Sequence, residues 1–220
     1  MVKQVVTVGA VQEDNVMAEL NIEPALTAKQ FVKRTNEVIE SLTSIITPHG
    51  LHYKIMDFQK FDPEFLKSAQ AKQFGCDPDY NIYTLKQNVV DTKLLHAENI
   101  RTDFFIGLPL TIVERESQRK SFYGKAGSFR EKEYGIEYRT PSNIWLSSDE
   151  SMSWIFRQIK TMMSEVMYAL PDDSVPRFER KILDIGENAF QEIINNGYVD
   201  DAYDICENYG IEIPSMEAFK

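Results

Sequence analysis

Cysteine and histidine are scarce in this chain, and neither forms a ligand pattern. Cys76 and Cys206 lie far apart, with no C-x-x-C and no metal-ligand spacing. A disulfide scaffold and a structural zinc site are therefore not expected. His49 stands at a predicted helix exit, His52 at a strand start and His96 in LLHAEN. None has a second histidine or a cysteine at ligand distance, so each reads as a solvated or capping residue. No G-x-x-x-x-G-K-[ST], G-x-G-x-x-G or G-x-S-x-G occurs, which argues against P-loop, Rossmann and α/β-hydrolase chemistry. No apolar run is long enough to span a membrane, and no signal peptide is evident. The expected compartment is a reducing cytoplasm.

Positive charge is also in short supply. Lys plus Arg number 24 against 34 Asp plus Glu, a formal charge of −10. Such a chain is a poor nucleic-acid binder, because that binding is driven by phosphate neutralisation. The few cations are clustered, however. Arg115, Arg119, Lys120, Lys125, Arg130, Lys132 and Arg139 share one window. A local cationic patch in an acidic protein suits a small anionic ligand better than a polymer. At 43% hydrophobic and 26% charged, the 220 residues can build a sizeable core.

Periodicity gives a mixed pattern. Val2 to Asn21 reads as two strands, with a polar break over Gln12, Glu13, Asp14 and Asn15. In the second strand, alternation puts Glu19 and Asn21 on one face and Ala18, Leu20 and Ile22 on the other. Thr27 caps a helix with Gln30 at the capping-box position, and Pro48-His49-Gly50 ends it. LHYKIMDF alternates like a strand, Asp62-Pro63 opens a short helix, and Phe74 to Thr84 is a loop feeding a strand. LLHAENIRTDFFIGLPLTIVE reads as a helix ending at Gly107-Leu108-Pro109. Ser148 or Asp149 starts a strong helix whose Met residues are core filler. Two further helices are predicted, Arg180 to Asn196 and Val199 to Tyr209, each stopped by glycine.

The segment FYGKAGSFREKEYGIEYRT, Phe122 to Thr140, stands out, with three glycines and four cations among alternating acids. In Glu137-x-Arg139 both side chains leave one face of a strand, ~6–7 Å apart at the backbone. Carboxylates such as Glu13, Glu19 and Glu137 converging on one cavity would bind a hard divalent cation. Arg119, Arg130 and Arg139 on the same face would grip phosphate oxygens bidentately. The alternative is a cross-strand ion pair on a wet surface, and spacing alone does not separate the two.

Three blocks, taken together, resemble the phage-type carboxylate–amine ligases (type 2 amidoligases) of the glutamine-synthetase-like superfamily. They are VQEDNVMAELNIEPA at Val11 to Ala25, FGCDPDYNIYT at Phe74 to Thr84, and FYGKAGSFREKEYGIEYRTPSNIWL at Phe122 to Leu146. The resemblance implies an α+β fold: an antiparallel strand funnel of glutamine-synthetase-like type, with packed helices and a C-terminal helical segment. Residues 1–147 would form the core, and 148–220 would be helices packed on it in the same domain. It further implies an ATP- and magnesium-dependent ligase that joins a carboxylate to an amine through an acyl phosphate. By motif, Glu19, Glu137 and Glu13 would be metal ligands, with Tyr123, Lys125 and Arg130 on the nucleotide. Arg130 and Arg139 would act on the reacting phosphate or carboxylate. The expected partners are small-molecule or peptide carboxylate and amine substrates, with no nucleic acid or membrane. For a phage-encoded chain the compartment would be the bacterial host cytoplasm. The family's G-A-D-P-E strand and G-G-H-I-H segment have no counterpart here. Two other readings therefore stand beside the ligase: a degenerate, non-catalytic binding protein on the same scaffold, and an acidic structural protein.

Overall fold

The computed structural model describes residues 3–14, 17–55, 99–114, 120, 124–132, 135–167 and 177–220. The N-terminal segment forms an antiparallel meander of β1 (Lys3–Val6), β2 (Gly9–Asp14) and β3 (Met17–Ile22). Three strands thus stand where two were expected. The chain turns at residues 7–8, and a Cβ on Gly9 would lie 2.0 Å from the Asn21 carbonyl oxygen on β3. Only glycine lets the two backbones come that close. The polar run Gln12 to Asp14 is not a break but the end of β2, in register with Met17 to Glu19. Sheet pairing satisfies its backbone.

That apolar face is covered by α1 (Ala28–Ile46). Thr27 caps it by accepting from the Gln30 amide (3.2 Å), and Gln30 Oε1 accepts from the Leu26 amide (2.9 Å). Val38 and Leu42 pack with Val11, flanked by Leu20 and Ile22, as the alternation in β3 requires. The helix ends in a turn at Thr47–His49 and a left-handed Gly50, φ +71°. His49 is therefore at a helix exit, as read. Leu51 to Ile55 form no strand. The predicted elements between Met56 and Glu98 lie outside the described residues.

Residues 99–102 are helical and run into a wide turn, Asp103–Gly107, and then α2 (Leu108–Val113). The helix was expected to stop at Gly107-Leu108-Pro109, and it continues. In the wide turn the Leu108 amide reaches back five residues to the Asp103 carbonyl. This insertion lets the helix re-form with Pro109 in its first turn, where no amide is needed. All of residues 102–114 are buried, so this helix runs through the centre of the molecule.

A second, two-stranded sheet pairs β4 (Phe129–Lys132) with β5 (Gly135–Tyr138). After it come α3 (Asp149–Met167), α4 (Arg177–Ile185), α5 (Glu187–Asn196) and α6 (Val199–Tyr209). Ser148 caps α3, its Oγ accepting from the Ser151 amide at 3.1 Å. The helix expected over Arg180 to Asn196 is split by Gly186 at φ +87°, a conformation no helix interior accepts. The main core joins residues from both sides of position 148. Phe104 meets Phe190 edge to face at 5.9 Å, with Leu108, Leu110, Trp154, Ile194 and Cys206 around them. Burial pushes the Cys206 thiol up to about 12, so it is packing material and not a nucleophile. The fold is α+β, and no described helix is long and apolar enough to cross a membrane.

Candidate functional site

The glycine-rich segment folds as a tight loop, with Gly124 at φ +77° and Gly127 at φ +85°. These angles explain why glycine is placed there, since side chains rarely adopt them. The loop is held from within the protein. The Ala126 amide donates to Asn195 Oδ1 at 2.7 Å, and the Gly127 amide donates to Asp103 Oδ2 at 2.7 Å. Thr140 Oγ1 lies 3.1 Å from the Lys125 carbonyl oxygen and donates to it. The Lys125 side chain itself is exposed.

Asp103 is the hub of this arrangement, and it is fully buried. Its Oδ1 accepts from the Tyr138 hydroxyl at 2.8 Å, and its Oδ2 also accepts from Gln191 Nε2 at 3.0 Å. Thr140 Oγ1 lies 3.4 Å from Oδ1. Burial raises the carboxyl from 3.8 to about 6, against the lowering effect of these donors. Burial and the adjacent carboxylate in turn hold the Tyr138 phenol well above its usual range. A second buried pair lies nearby. Lys120 Nζ is 3.2 Å from Glu114 Oε2 and donates to the Ile194 carbonyl at 2.9 Å. Glu114 Oε1 accepts from the Ser142 amide at 2.7 Å. Both pairs tie the central helix to α5 and to the chain leaving β5.

On the hairpin, Arg130 and Glu137 are directly opposite in register. Arg130 donates to Glu137 Oε2 from Nη2 (2.5 Å) and Nε (3.0 Å), and Arg139 Nε lies 3.4 Å from Oε1. The structure therefore brings together three of the predicted site residues, as a carboxylate between two guanidiniums. It does not bring Glu19 into that group. Glu19 is on β3 in the other sheet and accepts from Gln12 Nε2 at 2.7 Å. Glu13 pairs through its backbone with Ala18, and its side chain is not among those described. Tyr123 and Arg119 lie outside the described residues.

This geometry favours an anion over a divalent cation. Both oxygens of Glu137 face arginines, and the triad carries a net positive charge. Among the described residues, no three His, Cys, Asp or Glu side chains gather to hold a metal. The described residues thus show no three-ligand magnesium site, while the paired N–H donors of two guanidiniums suit a phosphate or carboxylate oxygen. A surface groove of about 490 Å³ beside α1 contains Glu37 and Glu40 and none of the predicted site residues. Its acidic lining makes it a poor phosphate site.

The family comparison falls on this region. A protein-family model described as Phage phiEco32-like COOH.NH2 ligase-type 2 matches residues 91–182. Over that segment the sequence is similar to the phage-type carboxylate–amine ligases, in agreement with the resemblance drawn from its motifs. The match takes in the central helix, the glycine loop, the arginine hairpin and α3. Comparison with curated proteins and with solved structures gave no match.

Sequence reasoning missed Asp103, Gln191 and Asn195. Asp103 did leave a signal: it is the one charge in the apolar run from Thr102 to Val113. A carboxylate there must find donors or remain costly. Gln191 and Asn195 left none, since amides on a helix normally read as solvated.

Proposed function

We propose that this chain is a carboxylate–amine ligase that uses ATP to activate a carboxylate as an acyl phosphate. The observation that carries the reading is the coincidence of the family match over 91–182 with the glycine loop and arginine hairpin. Under this reading a substrate carboxylate oxygen attacks the terminal phosphorus of ATP, and ADP leaves. An amine nitrogen then attacks the acyl carbon, phosphate departs, and the amine loses a proton. Each step develops negative charge on oxygens, which preorganised cations stabilise. Arg139 is the natural clamp for the acyl phosphate, and Arg130 and Lys125 for the nucleotide phosphates. Magnesium would enter only as the nucleotide's counter-ion, and no step here depends on a protein ligand to it. The strand funnel of the glutamine-synthetase-like superfamily, the cytoplasmic setting and small-molecule or peptide substrates belong to this same reading.

A second reading is favoured by one observation: Glu137 already occupies both arginines. A protein in which that triad stays closed would be a non-catalytic relative. The deciding experiment is melting with ATP and magnesium. At several hundred times its dissociation constant, a bound nucleotide stabilises by ~3–4 kcal/mol. A clear rise in melting temperature with ADP release supports the ligase, a rise without turnover supports the binding protein, and no rise refutes both.

A further inference from the structure

We propose that Asp103 and Asn195 are positioning residues that seat the glycine loop from behind, so that it offers the Lys125 side chain, and not its own amides, to an anionic ligand. This deepens the phosphate-handling reading above and rests on it.

Glycine loops that cradle phosphate usually do so with consecutive backbone N–H groups. Here the two central amides are already taken by protein acceptors, Ala126 by Asn195 Oδ1 and Gly127 by Asp103 Oδ2, each at 2.7 Å. The carboxylate of Asp103 thus sits where a ligand anion would sit in such a cradle. The loop is closed toward the interior, and its remaining cationic feature is the exposed Lys125 side chain. The same carboxylate takes the Tyr138 hydroxyl, between Glu137 and Arg139 in sequence, at 2.8 Å. Thr140, next to Arg139, donates to the Lys125 carbonyl at 3.1 Å. One buried group therefore fixes the loop cation and the arginine strand in a single relation. Gln191 donates to Asp103 Oδ2 at 3.0 Å, and a Cβ on Gly127 would come 3.3 Å from its Nε2. So α5 backs the loop directly. Both Gln191 and Asn195 lie beyond the family-matched segment, which ends at 182.

The test uses the full chain, with inorganic tripolyphosphate at fixed pH as the probe and amide hydrogen exchange as a ligand-free readout. Asp103→Ala should speed exchange at Gly127 at least ~10-fold, the effect of losing one charge-assisted hydrogen bond. It should weaken tripolyphosphate by a similar factor. Lys125→Ala should weaken the probe comparably without changing exchange at Gly127. The double variant should be no worse than either single one, because both act on one contact. Asp103→Asn, whose side-chain oxygen can still face Gly127 and Gln191, should restore most of the protection and affinity. A structural role alone would instead make affinity track the melting temperature across the series. If Asp103→Ala does not fold, Asn195→Ala makes the same test at the Ala126 amide. Unchanged exchange at these amides, or additive losses in the double variant, overturns the proposal. If Lys125→Ala leaves probe binding intact while exchange responds as expected, the phosphate reading fails and the seating of the loop stands.

Discussion

A carboxyl raised to about 6 should leave a signature in the pH dependence of stability. In the unfolded chain Asp103 has its ordinary value of 3.8. The folded value is higher, so between these two pH values the native state binds more protons than the unfolded state. Stability contributed by this residue is therefore greatest in acid and is lost as pH rises toward and past 6. The shift of roughly two units corresponds to ~3 kcal/mol of penalty at neutral pH. About one third of that penalty is already present near pH 4.5, which leaves ~2 kcal/mol to develop by pH 7.5. Other carboxylates titrate over the same range, so the measurement must be a difference. Asp103→Asn and the parent would be melted near pH 4.5 and near pH 7.5. The stability of the variant relative to the parent should rise by ~2 kcal/mol between the two, or roughly 4–8 °C in Tm for a chain of this size. Any constant gain or loss from the substitution cancels. A pH-independent offset, or one that moves in the opposite direction, would refute a carboxyl at 103 whose burial outweighs its hydrogen-bond donors.

Other outcomes follow from the same geometry. Arg139→Lys should keep the melting temperature, because this half-exposed side chain lies off the core, yet lower ATP-dependent turnover by ~10²–10³-fold. Glu137→Gln should change stability by less than ~1 kcal/mol, since the Arg130 pair is largely solvent-screened. It should tighten tripolyphosphate binding, measured by calorimetry, by releasing two arginines. Weaker magnesium–ATP binding in that variant would instead favour Glu137 as a metal ligand. Lys120→Met should destabilise by ~3–5 kcal/mol in a denaturant titration, because Glu114 would be left charged and buried. Combining it with Glu114→Gln should recover much of the loss.

What could be read from sequence was whatever local spacing encodes. The alternation of Glu19, Leu20, Asn21 and Ile22 set the faces of β3. Thr27 and Ser148 set helix starts, and Gly50, Gly197 and Gly210 set ends. The motif Phe129 to Arg139 brought Arg130, Glu137 and Arg139 together as a hairpin requires. Errors arose where a local rule met a tertiary one. Pro109 reads as a stop, but a one-residue expansion at Asp103–Gly107 carries the helix past it. The run Gln12 to Asp14 reads as a break, but a neighbouring strand satisfies its backbone. Gly186 within an amphipathic stretch reads as a tolerated glycine, but its φ ends α4. Asn195 and Gln191 could not be assigned to the site, because no periodicity says which loop a distant helix will touch.

The anchoring of the glycine loop to α5 also bears on how the protein is made. The contacts that hold it span 69 residues for Ala126 with Asn195, 74 for Lys120 with Ile194, and 88 for Asp103 with Gln191. Contacts that distant in sequence form late, since the intervening chain must first be closed into a loop. During synthesis the hairpin can pair as soon as its own residues emerge, but the loop cannot take its final seat until residue 195 has left the ribosome. A nascent chain stalled before that point would carry a formed arginine hairpin beside an unseated glycine loop.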